Sequence, residues 1–490
     1  MRAKHILLAC VILLTACTES VENARKVDSL PEIFPDYVDV TVPGGIAPLN
    51  FNAVVAKDAH YEKMDVVVKG AKGGELHVQG DLARFDIDAW HELLSVNRGA
   101  DLTVAVSVKV DGQWIGYQPF NIHVSADALD EWGLTYRRIA PGYEVFSDMG
   151  IYERNLGTFE EKAFVNNKML TGQCMNCHAG NRTNPDQYVF HVRGQHGTTY
   201  IHYDGKEEAL VATNDSIGGS MVYPYWHPSG RYCAFLTNQT RQSFHSLAKE
   251  RLEVFDLSSD VLVYEPATHR IIQSPLLKTK DWSENTPVFS PDGKWLYFTT
   301  CLQQEYPQGY KKQQYNLCRI AFDPEKGTFG DRVDTIYDAR KQNKSVTWPR
   351  PSYDGKYILF TLQDYGYFSI WHEESDQYLL DLSTGEARCL TEINSPRADS
   401  YHNWSANSKW IVFTSRRGNG LFSLLYFSHV DANGKMTKPF LLPQEDPREY
   451  YDNSFYSFNT PDFTLRPLHL DSRRAASAIM SEKRVPTSVR

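Results

Sequence analysis

The sequence predicts an all-β protein in two folded parts, a strand sandwich followed by a β-propeller. Three observations carry this prediction. Four segments in the second half share one pattern: Tyr223–Phe235, Thr286–Phe298, Trp348–Phe360 and His402–Phe413. Residues 33–124 alternate apolar and polar with the period of a strand. The composition is globular, with 42% hydrophobic, 23% charged and 13% aromatic residues in a chain of 490. Such a chain is not disordered, collagenous or a coiled coil.

The repeat reads P-x-h-S-P-D-G-K-W-h-h-F. Its Pro-Asp-Gly is a tight turn in which Gly takes a positive φ. The run behind it, such as Trp295-Leu296-Tyr297-Phe298, is a strand buried between neighbouring sheets. Gly230, Gly293 and Gly355 are 63 and 62 residues apart, and Ser408 follows 53 later. One blade of four short strands fits that period. Weaker copies near 184–205 and 455–463 bring the count to about six blades, over residues 184–465. The fourth copy has Ala406-Asn407-Ser408 in place of Pro-Asp-Gly, which should weaken its turn.

In the first half, Val104, Val106, Val108 and Val110 fall on one face of a strand. Asp111-Gly112 is a hairpin signal, and Met64 to Val68 and Phe85 to Ile87 are further strands. Short strands over residues 33–128 predict an immunoglobulin-like β-sandwich. Residues 129–183 form a linker segment, with Glu160-Glu161-Lys162 hinting at a short helix. The end of the chain, residues 466–490, is basic and polar and reads as a disordered tail.

The chain opens with Arg2 and Lys4, then runs apolar from Ile6 to Ala16. A basic start and a short apolar run read as a secretory signal, residues 1–16, too short to span a bilayer. Leu14-Thr15-Ala16-Cys17 resembles a bacterial lipobox, which implies a lipid on Cys17 and a polar tether over residues 17–32. No Asp stands just behind the cysteine; by resemblance to Gram-negative lipoproteins this implies the outer membrane. Mean hydropathy of -0.45 and the lack of a later long apolar run argue against a multi-span membrane protein. A net charge of -9 argues against a nucleic-acid partner.

Eight cysteines are too few for a disulfide scaffold. Cys174-Met175-Asn176-Cys177-His178 is C-x-x-C-H, the attachment sequence for one covalent haem c. Two thiols three apart on a helical turn would add to the vinyl groups, and His178 would be the proximal iron ligand. Half a zinc site or a redox dithiol are the other readings, though no second ligand pair or βαβ pattern stands nearby. Candidate sixth ligands are His191, His196 and Met221. Cys301 and Cys318 flank a polar loop, and a disulfide between them or two free thiols are both open.

The repeat resembles the WD40-like PD40 repeat of the TolB type over roughly 220–460, which implies a six-bladed propeller. The haem segment, with Pro141-Gly142-Tyr143-Glu144, Met149 to Arg154 and Phe190 to Gly194, resembles lipid-anchored proteins of Bacteroidetes-type bacteria that carry a TolB-like propeller behind a single C-x-x-C-H. That resemblance implies architecture and compartment, not chemistry.

No G-x-S-x-G, H-E-x-x-H or phosphate loop is present, and acidic pairs such as Asp36/Asp39 and Glu373/Glu374 read as solvated surface. The sequence therefore predicts an envelope lipoprotein that moves single electrons or senses redox state or a small ligand. A protein or redox partner would meet it on the propeller. The alternative is a binding module for protein, peptide or glycan, with Cys174 and Cys177 as a disulfide. A propeller enzyme, the weakest reading, would need carboxylates or histidines gathered in the central funnel.

Overall fold

The structure, a computed structural model, describes residues 20–21, 23–140, 148–211, 217, 219–245, 251–481 and 483–489. The predicted signal peptide and Cys17 lie outside the described residues. So do residues 141–147, which include the Pro141-Gly142-Tyr143-Glu144 stretch. Among the described residues no helix is long and apolar enough to cross a membrane.

The N-terminal part is built on the strand Ala100–Val110, paired with Tyr61–Gly70 on one side and with Gln113–Gly116 and Phe120–Val124 on the other. Val104, Val106 and Val108 are buried while Thr103 and Ala105 are exposed, as the alternation requires. Two short strands, Ile33–Phe34 and Asn52–Ala53, form a separate pair. A helix, Ile87–Val96, covers the sheet with Trp90, Leu93 and Leu94. Asp86 caps it by accepting from the Ala89 amide at 3.0 Å. The strand pattern did not anticipate this helix, because Phe85-Asp86-Ile87 also reads as an alternating run.

From Gly133 onward the chain forms, among the described residues, six sheets, five of four antiparallel strands and one of five that ends in a parallel pair. Each of the last five begins with a strand on the axis: Cys174–Asn181, Met221–Trp226, Trp282–Phe289, Ser345–Pro351 and Asp399–Trp404. The first sheet is made from both ends of this region. Gly133–Ile139 pairs with Met149–Asn155 on one edge and with Ser457–Thr464 on the other. Ser457–Thr464 supplies its axial strand and touches both Asp399–Trp404 and Cys174–Asn181. The axial strands therefore close into a ring, and the architecture is a β-propeller.

Each axial strand carries one residue at positive φ in its middle: Cys177, Tyr223, Thr286, Trp348, Tyr401 and Thr460, with φ between 43° and 55°. In all six the pairing register shifts at this residue, the mark of a β-bulge. Proline follows it in four strands, histidine in the other two, His178 and His402. The segment 129–183 is thus no linker. It holds the outer strands of the first sheet and the axial strand of the second, and Glu161–Asn166 is a strand where a helix was expected.

The turn of the repeat has a repeated bonding pattern. The Ser290 hydroxyl donates to Asp292 at 2.6 Å and accepts from the Trp295 amide at 3.0 Å. Ser352, Asp354 and Tyr357 repeat it. Ala406-Asn407-Ser408 keeps it too: the Ser405 hydroxyl donates to Asn407 at 2.7 Å, and Ser408 adopts φ 59°. Asn supplies the acceptor and tolerates the turn, so this copy departs in sequence but not in geometry.

Of residues 466–490, expected as a disordered tail, those that the structure describes, 466–481 and 483–489, include segments packed against the body. Ser472–Met480 is a helix capped by Asp471, and it buries Ala475 and Ile479 among Phe164, Tyr188, Phe190 and Tyr200. Ser488–Val489 adds a parallel strand beside Arg270–Ile272. The apolar stripe is only two residues wide, which is why a basic composition hid it. The N-terminal part is fixed to the last sheet through a core shared by Val42, Leu49, Trp410, Phe427 and Phe440.

Two predictions follow from these contacts. A Cβ at Gly293, which has φ 71°, would stand 2.2 Å from His227 Nε2. Gly293→Ala should cost about 1–3 kcal/mol in urea unfolding. His402 is buried and its Nε2 lies 2.9 Å from the Leu359 carbonyl across two sheets. Burial holds its pKa down to about 3, with Arg350 pushing the same way. Its unfolded value is near 6.5, so below that pH the unfolded chain gains a proton the folded chain refuses, and stability is lost as pH falls. Buried carboxylates such as Glu284, raised to about 8, act in the opposite sense. Comparing His402→Gln with wild type isolates the histidine: between pH 7 and 5 the variant should lose about 2 kcal/mol less.

Candidate functional site in the axial channel

The six positive-φ residues lie at mid-depth of the ring, and three of their rings meet there. Tyr223 and Trp348 have centroids 6.0 Å apart, and Trp348 and Tyr401 4.9 Å. Tyr367 joins from a loop, 6.4 Å from Tyr223. Cys177 packs against Tyr223, Val222 and Leu236. These side chains form a waist that separates two ends of the channel.

On one side stand the thiols. Cys174 and Cys177 are both buried and both free. Arg137 Nη2 is 3.8 Å from Cys174 Sγ, and its Nε donates to the Met175 carbonyl at 3.2 Å. Burial pushes the Cys177 thiol up, while Arg193 and Arg137 pull it the other way. Two guanidinium groups therefore put positive charge beside both sulfurs.

His178 faces the other end. It lines two small adjoining cavities, of about 10 and 20 Å³. Neither ring nitrogen makes a hydrogen bond. The polar groups beside them are the Thr135 backbone and Asp462, whose Oδ2 is 4.0 Å from Nε2. Burial lowers the His178 pKa to about 4, so the ring is neutral at pH 7. Buried side-chain nitrogens without partners are costly and uncommon.

The motif lies on an axial strand of the ring rather than in a linker, and its backbone is not the expected helical turn. Cys174–Asn181 is an extended strand with a bulge at Cys177, not a helical turn. The donor types are those of a covalent haem, two free thiols and a neutral imidazole, but they face opposite ends of the channel, so one haem would reach all three only after this strand rearranged.

The sixth-ligand candidates do not gather at His178. His191 is buried in the neighbouring strand, with Nδ1 3.2 Å from the Thr199 hydroxyl, and burial lowers its pKa to about 3. Met221 packs between sheets with Ala179, Val189 and Ile201. His196 sits in the turn after that strand, its amide donating to Gln173 Oε1 at 3.0 Å. None of the three lines the cavities beside His178. Adjacency in sequence to the motif was the only basis for choosing them, and sheet geometry sent each to another face. Among the described residues no cluster of three or more His, Cys, Asp or Glu side chains could hold a metal ion by itself.

Cys301 and Cys318 are unpaired. Cys318 stands opposite Phe298 rather than Cys301 in the strand register. Cys301 packs with Tyr315 and Tyr367, and Cys318 Sγ lies 3.5 Å from the Thr335 hydroxyl.

Sequence reasoning missed Arg137, Arg193, Arg350 and Asp462. The signal available was the repeat: Thr460-Pro461-Asp462-Phe463 matches Thr286-Pro287-Val288-Phe289, which places Asp462 on an axial strand.

No family model and no curated protein matches the chain. Among solved structures it is similar to TolB from Acinetobacter baumannii, at 13% identity over 78% of this chain and 86% of that one, with a TM-score of 0.44. It is also similar to an oligogalacturonate lyase in complex with manganese, at 10% identity over 63% and 72%, TM-score 0.36. A third is prolyl oligopeptidase B from Galerina marginata, at 11% identity over 62% and 44%, TM-score 0.36. The likeness concerns the fold, TolB-like and all-β, and carries nothing about chemistry.

Proposed function

We propose that this chain is a lipoprotein of the bacterial outer membrane that holds one covalent haem c in the axial channel of a six-bladed TolB-like propeller. In this reading the lipid is on Cys17, and the N-terminal part is an immunoglobulin-like spacer. The observation that carries the haem assignment is His178, buried, neutral and without a side-chain partner on either ring nitrogen, in one motif with two free thiols. When bound, the haem would supply a one-electron centre whose potential the surrounding residues tune.

The chain's own groups have distinct tasks. Cys174 and Cys177 would hold the group by thioether links, and His178 would ligate its iron. Arg137 and Arg193 place positive charge beside the attachment point, where acidic substituents need it. Tyr223, Trp348 and Tyr401 crowd the axis with packed rings. None of His191, His196 and Met221 serves as a sixth ligand in this arrangement. The protein would exchange single electrons with a partner docked on the propeller, or report redox state or a small ligand.

A second reading is a binding module for a protein, peptide or glycan, with Cys174 and Cys177 as a disulfide. The extended backbone of Cys174–Asn181, paired along the strand Asn184–Arg193, favours a module without haem but not the disulfide, because residues three apart in a strand stand about 10 Å apart.

The mature chain, expressed with a cytochrome c maturation system, should give a pyridine haemochrome spectrum with the α band of a two-thioether haem. Cys174→Ala should shift or abolish that band. A colourless protein with Cys174 bonded to Cys177 would leave only the second reading.

A further inference from the structure

We infer that the strand Glu75–Gly80 of the N-terminal part is a dimerisation edge, pairing antiparallel with the same strand of a second copy of this chain about a two-fold axis at His77. The inference uses no residue of the axial channel and stands apart from the haem assignment.

Glu75–Gly80 ends its sheet. It pairs with Tyr61–Gly70 on one side, and among the described residues no strand pairs with it on the other. Open edges invite pairing with another chain, and proteins shorten, bend or cover them. Among the described residues the other outer strands are managed in these ways. Arg25–Lys26, at the opposite edge of the same sheet, is two residues long and charged. Phe440–Leu441 and Ala387–Cys389 have two and three residues. Arg270–Ile272 is covered by Ser488–Val489, and Lys206–Val211 is bridged by Val485. Glu161–Asn166 and Thr328–Tyr337 pair through register shifts. Glu75–Gly80 has six residues, no proline, no lysine and no register shift.

The hairpin fixes which backbone groups face the open side. The Gly70 amide donates to the Gly74 carbonyl at 3.0 Å. Bonded pairs alternate along an antiparallel ladder, so Leu76, Val78 and Gly80 bond to Tyr61–Gly70, and the N–H and C=O groups of Glu75, His77 and Gln79 turn outward. With the axis at His77, these three positions meet their counterparts as bonded pairs, which gives about six backbone hydrogen bonds.

The side chains are self-complementary in that register, which is why the occupant is a second copy. On one face Leu76 stands opposite Val78 of the second copy, and both pack against the core of their own chain. On the other face Glu75 stands opposite Gln79 of the second copy. Glu75 already pairs with Lys69 at 3.1 Å, and Gln79 Nε2 donates to Asp65 at 2.9 Å. The row across the seam is therefore cation, carboxylate, amide, carboxylate, with no like charges directly opposite. His77 Nε2 lies 2.7 Å from Asp65 Oδ1, so its ring is held by its own chain.

Sedimentation equilibrium of the full mature chain, with Cys17→Ser so that no lipid is added, tests this. A six-residue edge makes a small interface, so the concentrations should reach about 200 µM. A reversible dimer is expected. His77→Lys sets two ammonium groups against each other at the axis while each keeps Asp65 of its own chain as a partner. It should keep the wild-type circular dichroism and weaken the dimer at least fivefold. Gln79→Lys sets an ammonium opposite Glu75 of the second copy and should tighten the dimer severalfold. A monomer over the whole concentration range, or a folded His77→Lys or Gln79→Lys with an unchanged dissociation constant, would overturn the inference.

Discussion

The rest of the structure depends on the pairing of Gly133–Ile139 with Ser457–Thr464. These strands are more than 300 residues apart in sequence, and their union completes one sheet and closes the ring. Without it, the first sheet would present an open edge, and the axial strands would have no common centre. Gly133 marks how tight this place is: a Cβ there would stand 2.2 Å from the Arg154 carbonyl oxygen. Closure is an expensive long-range contact in chain entropy, which many buried interfaces between sheets must offset.

Closure converts a local backbone habit into a site. Each axial strand bends at one positive-φ residue, and the bend turns that residue's neighbours toward the axis. In a strand such as Thr286-Pro287-Val288, the bend carries no evident chemistry. In Cys177-His178 the same bend puts a thiol at the waist and an imidazole into the chamber beyond it. The two ends of the channel differ accordingly. One is sulfur and guanidinium; the other is guanidinium, tyrosine and a single carboxylate. Both keep cations in low-polarity surroundings, where electrostatic preferences are strong.

What the sequence made legible follows from what is periodic. The S-P-D-G turns and the apolar strands behind them recur, so the propeller could be read from Tyr223 to Phe413. The first two sheets showed only as weaker copies near 184–205 and 455–463, because Cys177-His178 replaces the usual Pro dipeptide and Gly133–Ile139 finds its partner only at Ser457–Thr464. The same substitution made C-x-x-C-H visible as a motif while hiding that it occupies a repeat position. The helix Ile87–Val96 and the packed tail were missed for a different reason: their apolar stripes are short and interrupted by charge. Arg350 and Asp462 lie in separate repeats and meet only through closure, so no local pattern announces them.

The account rests on what Cys174 and Cys177 are bonded to in the protein made by its own host. Trypsin cleaving after Lys168 and Arg182 releases Met169–Arg182, which contains the whole motif. Mass spectrometry of that peptide, from protein purified out of the envelope without reduction, tests the claim most directly. The account predicts a peptide heavier by one haem, with fragmentation placing it on both cysteines. A peptide lighter by two hydrogens, or one with two free thiols, would contradict it.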